Sequence, residues 1–231
     1  MFVLFVVFLI GLCFGSFANV LICRLPQGKS ILGRSFCPRC KKQIAWFDNI
    51  PLLSFLLLRG RCRRCQTKIS IQYPLVELAS AFLFVISFKL LVLSYFIFFA
   101  LLIPVLVAIF VIDVKHQIIP DELIFAGMVI ALLFSFSFGN LFSGFSAAAF
   151  LLILHLVTKG RGMGLGDVKL AILGGMVTGI SGVVNWLFIS FLTGAAVGSI
   201  LILTKKAKLK SKIAFGPFLI FALFLTIFLR L

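Results

Sequence analysis

Long apolar runs dominate this chain, and its polar residues gather in short clusters between them. A run of 18 or more apolar residues with few charges is long enough to cross a bilayer as a helix. The pattern predicts a first span at 2–22, followed by a polar, cysteine-containing segment from about 24 to 72. Further spans are expected near 74–90, 94–112, 119–138, 141–157, 166–180, 184–203 and 213–230, eight in all. The apolar positions are continuous rather than alternating, which argues against a transmembrane β-barrel. The expected fold class is therefore an all-α polytopic membrane protein with a small cytoplasmic module between helices 1 and 2. The corresponding domains are a first transmembrane helix at 1–23, a four-cysteine module at 24–73 and a transmembrane core at 74–231. No internal repeat stands out. The N-terminal run lacks the basic start and the small-residue cleavage site of a signal peptide, and is read as the first span.

Composition agrees with this reading. The chain is 62% hydrophobic, against about 45–50% for ordinary globular proteins. Its net charge is +16, from 22 Lys and Arg against 6 Asp and Glu. In a soluble protein such a balance would suggest nucleic acid; here membrane topology accounts for it. With eight alternating spans, 20 of the 22 basic residues fall on one side, Lys89 and Arg230 being the exceptions. The positive-inside rule makes that side cytoplasmic and puts both termini outside. The stretch KKAKLKSK (205–212) then reads as a cytoplasmic stop signal. The expected surroundings are a lipid bilayer, without nucleic acid; no oligomeric state follows from the sequence.

The segment 24–73 is too small for a substantial core, and small domains usually need a metal or disulfides. Cys37-Pro-Arg-Cys40 and Cys62-Arg-Arg-Cys65 form a C-x2-C…C-x2-C array with 21 residues between the pairs. Each hairpin of this kind points two thiolates at one ion, and two hairpins complete a zinc tetrahedron. A cytoplasmic location disfavours disulfides, and flanking Lys and Arg favour the thiolate. Four thiolates leave no open coordination position, so the expected zinc is structural, a staple for the module; a redox pair is the lesser alternative. Cys13 and Cys23 read as ordinary small apolar residues.

With only six carboxylates, their positions are informative. Asp48 lies in the polar module and reads as solvated, and Glu77 lies one turn into the second span. Asp121 and Glu122 open the fourth span after Pro120, where they complement the helix dipole. Asp113 ends the third span and Asp167 starts the sixth, at one depth near the cytoplasmic boundary. Alone, Asp167 reads as an N-cap and Asp113 as a snorkelled boundary residue. Together they suggest a dyad, because two adjacent carboxylates share one proton. Such a pair can activate water and polarise a peptide carbonyl, the chemistry of aspartic proteases. Gly164 and Gly166 would allow unusual backbone shapes and close approach of a substrate chain. Lys169 would meet the membrane surface or bias the local charge. The same acids, with Glu77, also suit a proton- or cation-coupled transporter. A zinc-stapled scaffold without chemistry is a third reading. His116 and His155 are too far apart in the span order to form a metal pair, and GMGLG lacks the Lys-Ser/Thr of a P-loop.

At these residues the chain resembles the type IV prepilin peptidases, bacterial membrane aspartic proteases of the GxGD type. The resembling stretches are GSFANVLICRLP, CPRC, WFDNIPLLS, CRRC, YPLVEL, IDVKHQIIPDELI, GMGLGDVKL and FGPFL, and they cover nearly the whole chain. A presenilin-like protease shares the GxGD motif but not the cysteine module or the I-P-D segment. The resemblance implies cleavage of the basic leader of prepilins or pseudopilins, after a glycine, on the cytoplasmic face of the bacterial inner membrane. It implies Asp113 and Asp167 as catalytic, Asp121 as supporting, and zinc at Cys37, Cys40, Cys62 and Cys65. For many members it also implies N-methylation of the new terminus with S-adenosylmethionine. No G-x-G-x-x-G or Rossmann unit for that cofactor is visible.

Overall fold

The computed structural model describes residues 1–160, 162–205 and 213–229. Arg161, most of the basic stretch 205–212 and Arg230 lie outside the described residues. The described chain is all-helical, with two isolated β-bridges and no strand. Five helical segments are long and apolar enough to cross a bilayer. They leave many large apolar side chains exposed, among them Phe82, Phe142 and Phe188, as a lipid-facing surface requires. The protein is thus an all-α polytopic membrane protein. Its Cα positions divide into two compact units, Met1–Ala108 and Ile109–Leu231.

In the first unit, α1 (Phe2–Arg24) packs along α3 (Gln72–Leu90). Small residues bring the backbones together. A Cβ on Gly11 would stand 2.6 Å from Ala81 Cα, and one on Gly15 would stand 2.6 Å from Glu77 Cα. Close backbone approach of this kind is how helices associate where lipid offers no hydrophobic contrast. Asn19 Nδ2 donates to the Tyr73 carbonyl at 3.0 Å, tying the same two helices near their polar ends.

The polar segment between them folds around two hairpins. Cys37 N–H donates to Lys42 O at 2.9 Å and Lys41 N–H returns to Cys37 O at 2.9 Å. In the second hairpin, Cys62 N–H donates to Thr67 O at 2.8 Å and Gln66 N–H returns to Cys62 O at 3.0 Å. Lys41 and Gln66 both take left-handed φ, and the bridges Phe36–Gln43 and Arg61–Lys68 close both hairpins. SFCPRCKKQI (35–44) and GRCRRCQTKI (60–69) are therefore one motif used twice. The sequence shows no obvious repeat because only the cysteines, one Arg and the final Ile match; the backbone hydrogen bonds carry the likeness.

Asp48 is not solvated as its sequence context suggests. Its carboxylate is bound by Arg63 Nε at 3.0 and 2.9 Å and by Nη2 at 2.7 Å, and the guanidinium lies 5.4 Å from the Phe47 ring centre. Arg24, at the end of α1, donates to five successive carbonyls from Ser30 to Arg34 and wraps the linker around itself. After Pro51, Leu52 (φ 58°, ψ −50°) forms a γ-turn closed by Leu53 N–H to Pro51 O at 2.6 Å, a rare backbone shape. The buried Glu77 carboxylate accepts the Leu52 N–H at 2.8 Å and anchors that turn to α3. The short helix α2 (Leu53–Leu57) follows the turn.

Helix α4 (Leu93–His116) carries the boundary between the units and runs a turn beyond the expected end at 112. In the second unit it is followed by α5 (Asp121–Ser135), α6 (Phe138–Val157), α7 (Leu165–Leu203) and α8 (Gly216–Phe228). At 1.5 Å per residue, α5 and α8 are about 20 Å long, short of the ~30 Å hydrocarbon core. The 39 residues of α7 are too many for one crossing. They hold both spans expected at 166–180 and 184–203, broken at Gly179, whose φ of 67° and ψ of −178° are open only to glycine. In a straight helix Trp186 would lie ~18 Å along the axis from Gly174. Instead its ring stands 2.3 Å from where a Gly174 Cβ would be, so the chain doubles back at Gly179. Trp186 Nε1 donates to Leu219 O of α8 at 2.8 Å. Helix α6 meets the first leg of α7 as closely, through Gly144 and Gly175 and a 2.8 Å hydrogen bond from Ser143 Oγ to Gly175 O.

Candidate active site

The second unit presents a cavity of about 500 Å³ at the end of α4 and the starts of α5 and α7. Asp113 reaches it from the last turn of α4, and Asp167 from the first turn of α7. Both are more than nine-tenths buried and stand within electrostatic reach of each other. The carboxylates expected to act together thus line one cavity.

Asp167 is not the N-cap that its position beside an apolar helix suggests. Gly164 is the cap, and Asp167 stands at the third helical position and reaches back, its Oδ2 accepting the Gly164 N–H at 3.1 Å. A side chain tied back in this way has little freedom to swing out. Gly164 (φ −80°, ψ 152°) is ordinary extended backbone and Gly166 is helical, so neither uses the conformations reserved for glycine. Their value is space. A Cβ on Gly164 would press to 3.2 Å from Asp167 Oδ2, and one on Gly166 to 3.2 Å from Ile119 Cβ.

Asp113 is held differently. The Gly216 amide approaches its carboxylate, yet Asp113 Oδ2 has no hydrogen-bond partner among the described residues. A buried, unpaired carboxylate oxygen costs free energy unless something else completes it. Gly216 is also the wall behind it, for a Cβ there would stand 2.6 Å from Asp113 Oδ2. Sequence reasoning singles out FGPFL as a motif without finding that role. It weighs His155 only as a metal ligand and misses its contact here: Nδ1–H donates to the Met163 carbonyl at 2.7 Å and pins the loop leading into Gly164. The sequence signal is a histidine in the last turn of an apolar helix, eight residues before Met163.

Lys169 acts through Asp121. Its Nζ lies 2.7 Å from Asp121 Oδ1, joining the first turns of α7 and α5 beside the cavity. Both side chains are about half exposed, so the pair sets geometry more than it adds stability. Asp121 and Glu122 occupy the first turn of α5 after Pro120, as expected for the dipole, and both also line the cavity.

In the first unit, the Sγ atoms of Cys37, Cys40, Cys62 and Cys65 all lie within 4.8 Å of one another. Cys37 and Cys65 are 3.7 Å apart, far beyond a disulfide bond and near the ~3.8 Å edge of a tetrahedron with Zn–S of ~2.3 Å. Arg39 Nη1 donates to Thr67 Oγ1 at 3.3 Å, which leaves the Thr67 hydroxyl hydrogen for Cys65 Sγ, also at 3.3 Å. Hydrogen bonds from the Thr67 hydroxyl and amide pull the Cys65 thiol down to about 6, and the Cys40 amide lowers Cys37. Thiolates so favoured are ready metal donors.

Residues 9–91 match the family model of the bacterial peptidase A24 N-terminal domain, and residues 100–199 match that of the type IV leader peptidase family. A prepilin leader peptidase/N-methyltransferase of Aeromonas hydrophila is 37% identical over 94% of this chain and 87% of its own length. One from Bacillus subtilis (strain 168) is 32% identical over 92% and 88%. One from Myxococcus xanthus (strain DK1622) is 46% identical, over 59% of this chain and 42% of that protein. No solved structure matches the chain. Matches that run through both units, at a cavity holding two buried carboxylates, leave one conclusion: the chain belongs to the type IV leader peptidase family.

Proposed function

We propose that this prepilin peptidase cuts the leader from type IV prepilins or pseudopilins with Asp113 and Asp167 as its catalytic pair. The observation that carries the proposal is the presence of both carboxylates, buried, on one cavity. Two such groups hold one proton between them. The ionised member takes a proton from water as its oxygen attacks the scissile carbonyl carbon, and the protonated member donates to the carbonyl oxygen. Collapse of the tetrahedral intermediate breaks the C–N bond, and a proton from the dyad goes to the departing amine. The Gly164 N–H holds Asp167 in place through these steps, and the Lys169–Asp121 pair holds together the two helix starts that frame the cavity.

The substrate is itself a membrane helix with its cut site at the bilayer boundary. In this reading the protein crosses the inner membrane eight times with both termini outside. Segment 1–23 is the first transmembrane helix, 24–73 the cytoplasmic four-cysteine module, and 74–231 the peptidase core. The charge asymmetry of the loops supports this orientation. Cys37, Cys40, Cys62 and Cys65 would hold a structural zinc, which would supply cross-linking rather than catalysis. The relatives' printed names add an N-methyltransferase activity, which implies S-adenosylmethionine. The described residues offer no βαβ unit for its adenosine, so no residue is assigned to it and no step passes through it.

The test is direct. Full-length protein in liposomes, incubated with a prepilin, should release a shortened helix. Asp113→Asn and Asp167→Asn should each lower the rate by about 10²-fold or more while the protein stays folded. Undiminished cleavage by either variant overturns the assignment.

A further inference from the structure

We propose that His155 is a positioning residue for Asp167 and acts on it through a single peptide group. The inference rests on the peptidase reading above. His155 Nδ1 lies 2.7 Å from the Met163 carbonyl oxygen, and the Gly164 N–H lies 3.1 Å from Asp167 Oδ2. That carbonyl and that N–H are the two ends of one peptide plane. In a trans peptide they point in opposite directions and turn together, so a grip on the oxygen aims the nitrogen. The imidazole of α6 thus reaches the carboxylate of α7 across one rigid unit. Hydrogen bonds in such a chain also polarise one another, which strengthens the Gly164 N–H as a donor.

The plane needs an outside grip because of the residue that forms half of it. A Cβ at position 164 would press on Asp167 Oδ2 at 3.2 Å, so the site calls for glycine. Glycine, however, leaves φ the least restrained, and a plane ending in it turns easily. The buried Met163 side chain fixes where the peptide sits; His155 fixes which way it faces. The ring is itself well based. It is half-buried in the last turn of α6, where the His155 carbonyl accepts the Gly160 N–H at 2.8 Å. Gly160, at φ 74°, turns the chain back so closely that a Cβ there would stand 3.3 Å from His155 Cε1. A carbonyl can only accept, so Nδ1 carries the hydrogen. The role therefore calls for a donor at that one atom. Asparagine places its amide nitrogen the same number of bonds from Cα as Nδ1, glutamine places it one bond farther out, and leucine has the length without the donor. A mere loop staple makes no such distinction of reach, and it weakens substrate binding along with the chemistry.

The experiment measures kcat and KM for prepilin cleavage by full-length protein in liposomes, with the folded fraction of each variant read by size-exclusion chromatography. His155→Leu should lower kcat by about tenfold, the upper scale of one hydrogen bond, and leave KM near the wild-type value. His155→Asn should restore most of that kcat, and His155→Gln should not. If His155→Leu fails to fold, the asparagine and glutamine variants decide between themselves: a higher kcat for asparagine upholds the inference. Equal kcat values in the asparagine and glutamine variants, a wild-type kcat in His155→Leu, or a loss carried by KM alone overturns it and leaves the peptidase reading standing. If the wild type cuts no prepilin, or Asp167→Asn cuts at the wild-type rate, the peptidase reading fails first and this inference with it.

Discussion

A single methyl group tests how tightly the carboxylate pair is enclosed. Gly216 backs Asp113 so closely that Gly216→Ala must push the carboxylate or the start of α8 aside. Displacements of about 1 Å at reacting groups cost on the order of 10²-fold in rate, so cleavage should fall by about that factor while the folded fraction, read by size-exclusion chromatography, is kept. Near-wild-type cleavage would show that Asp113 tolerates movement. The aspartates are legible in the sequence because ionisable groups at membrane depth are scarce and costly. Gly216 and His155 are not legible in that way. Gly216 meets Asp113 across about a hundred residues of chain, and no local pattern announces a glycine that matters for what it lacks. Asp48 misleads for a related reason. Its partner Arg63 is 15 residues away and comes near only when the two hairpins fold.

The elements tell two stories about legibility. Continuous hydrophobicity marks the helices, and their type follows from it directly. Their ends are less visible, because α4 continues through Asp113 to His116 with polar residues that no longer look like a span. The reversal in α7 shows in the sequence as two spans, though its cause, the backbone of Gly179, requires coordinates. The hairpins give the opposite result. Spacing identifies all four sulfurs, yet the repeat hides under different side chains. Each hairpin contributes two sulfurs, and a polar segment this short has little core of its own. Purified protein should therefore carry one zinc per chain. Its removal by a chelator should leave the segment 24–72 open to protease, because small metal-bound modules lose their fold with the metal. Cys40→Ser should do the same without chelator. Protease resistance in metal-free protein would mean that the ion pair at Asp48 and the Glu77 anchor are enough to hold the module.

At the scale of the whole molecule, composition alone indicates a membrane protein, and the grouping of its basic residues between apolar runs is the basis of the proposed topology. Neither property reveals that the described residues lining the cavity carry charge of opposite sign to the chain as a whole. That opposition has a kinetic consequence. At a distance, a cationic leader meets the field of a chain of net charge +16 and is repelled; within the cavity it meets carboxylates at contact range. Dissolved salt weakens the first effect more than the second, because the Debye length of about 8 Å at physiological ionic strength damps distant charges and leaves sheltered neighbours nearly untouched. Moderate added salt should thus accelerate capture of lysine-bearing leaders in neutral-lipid vesicles, where most attractions between opposite charges would slow. A monotonic decline in initial rate from low ionic strength upward would mean that the repulsive approach plays no part. A rate that rises with salt instead means an enzyme that works better amid dissolved ions than in dilute buffer.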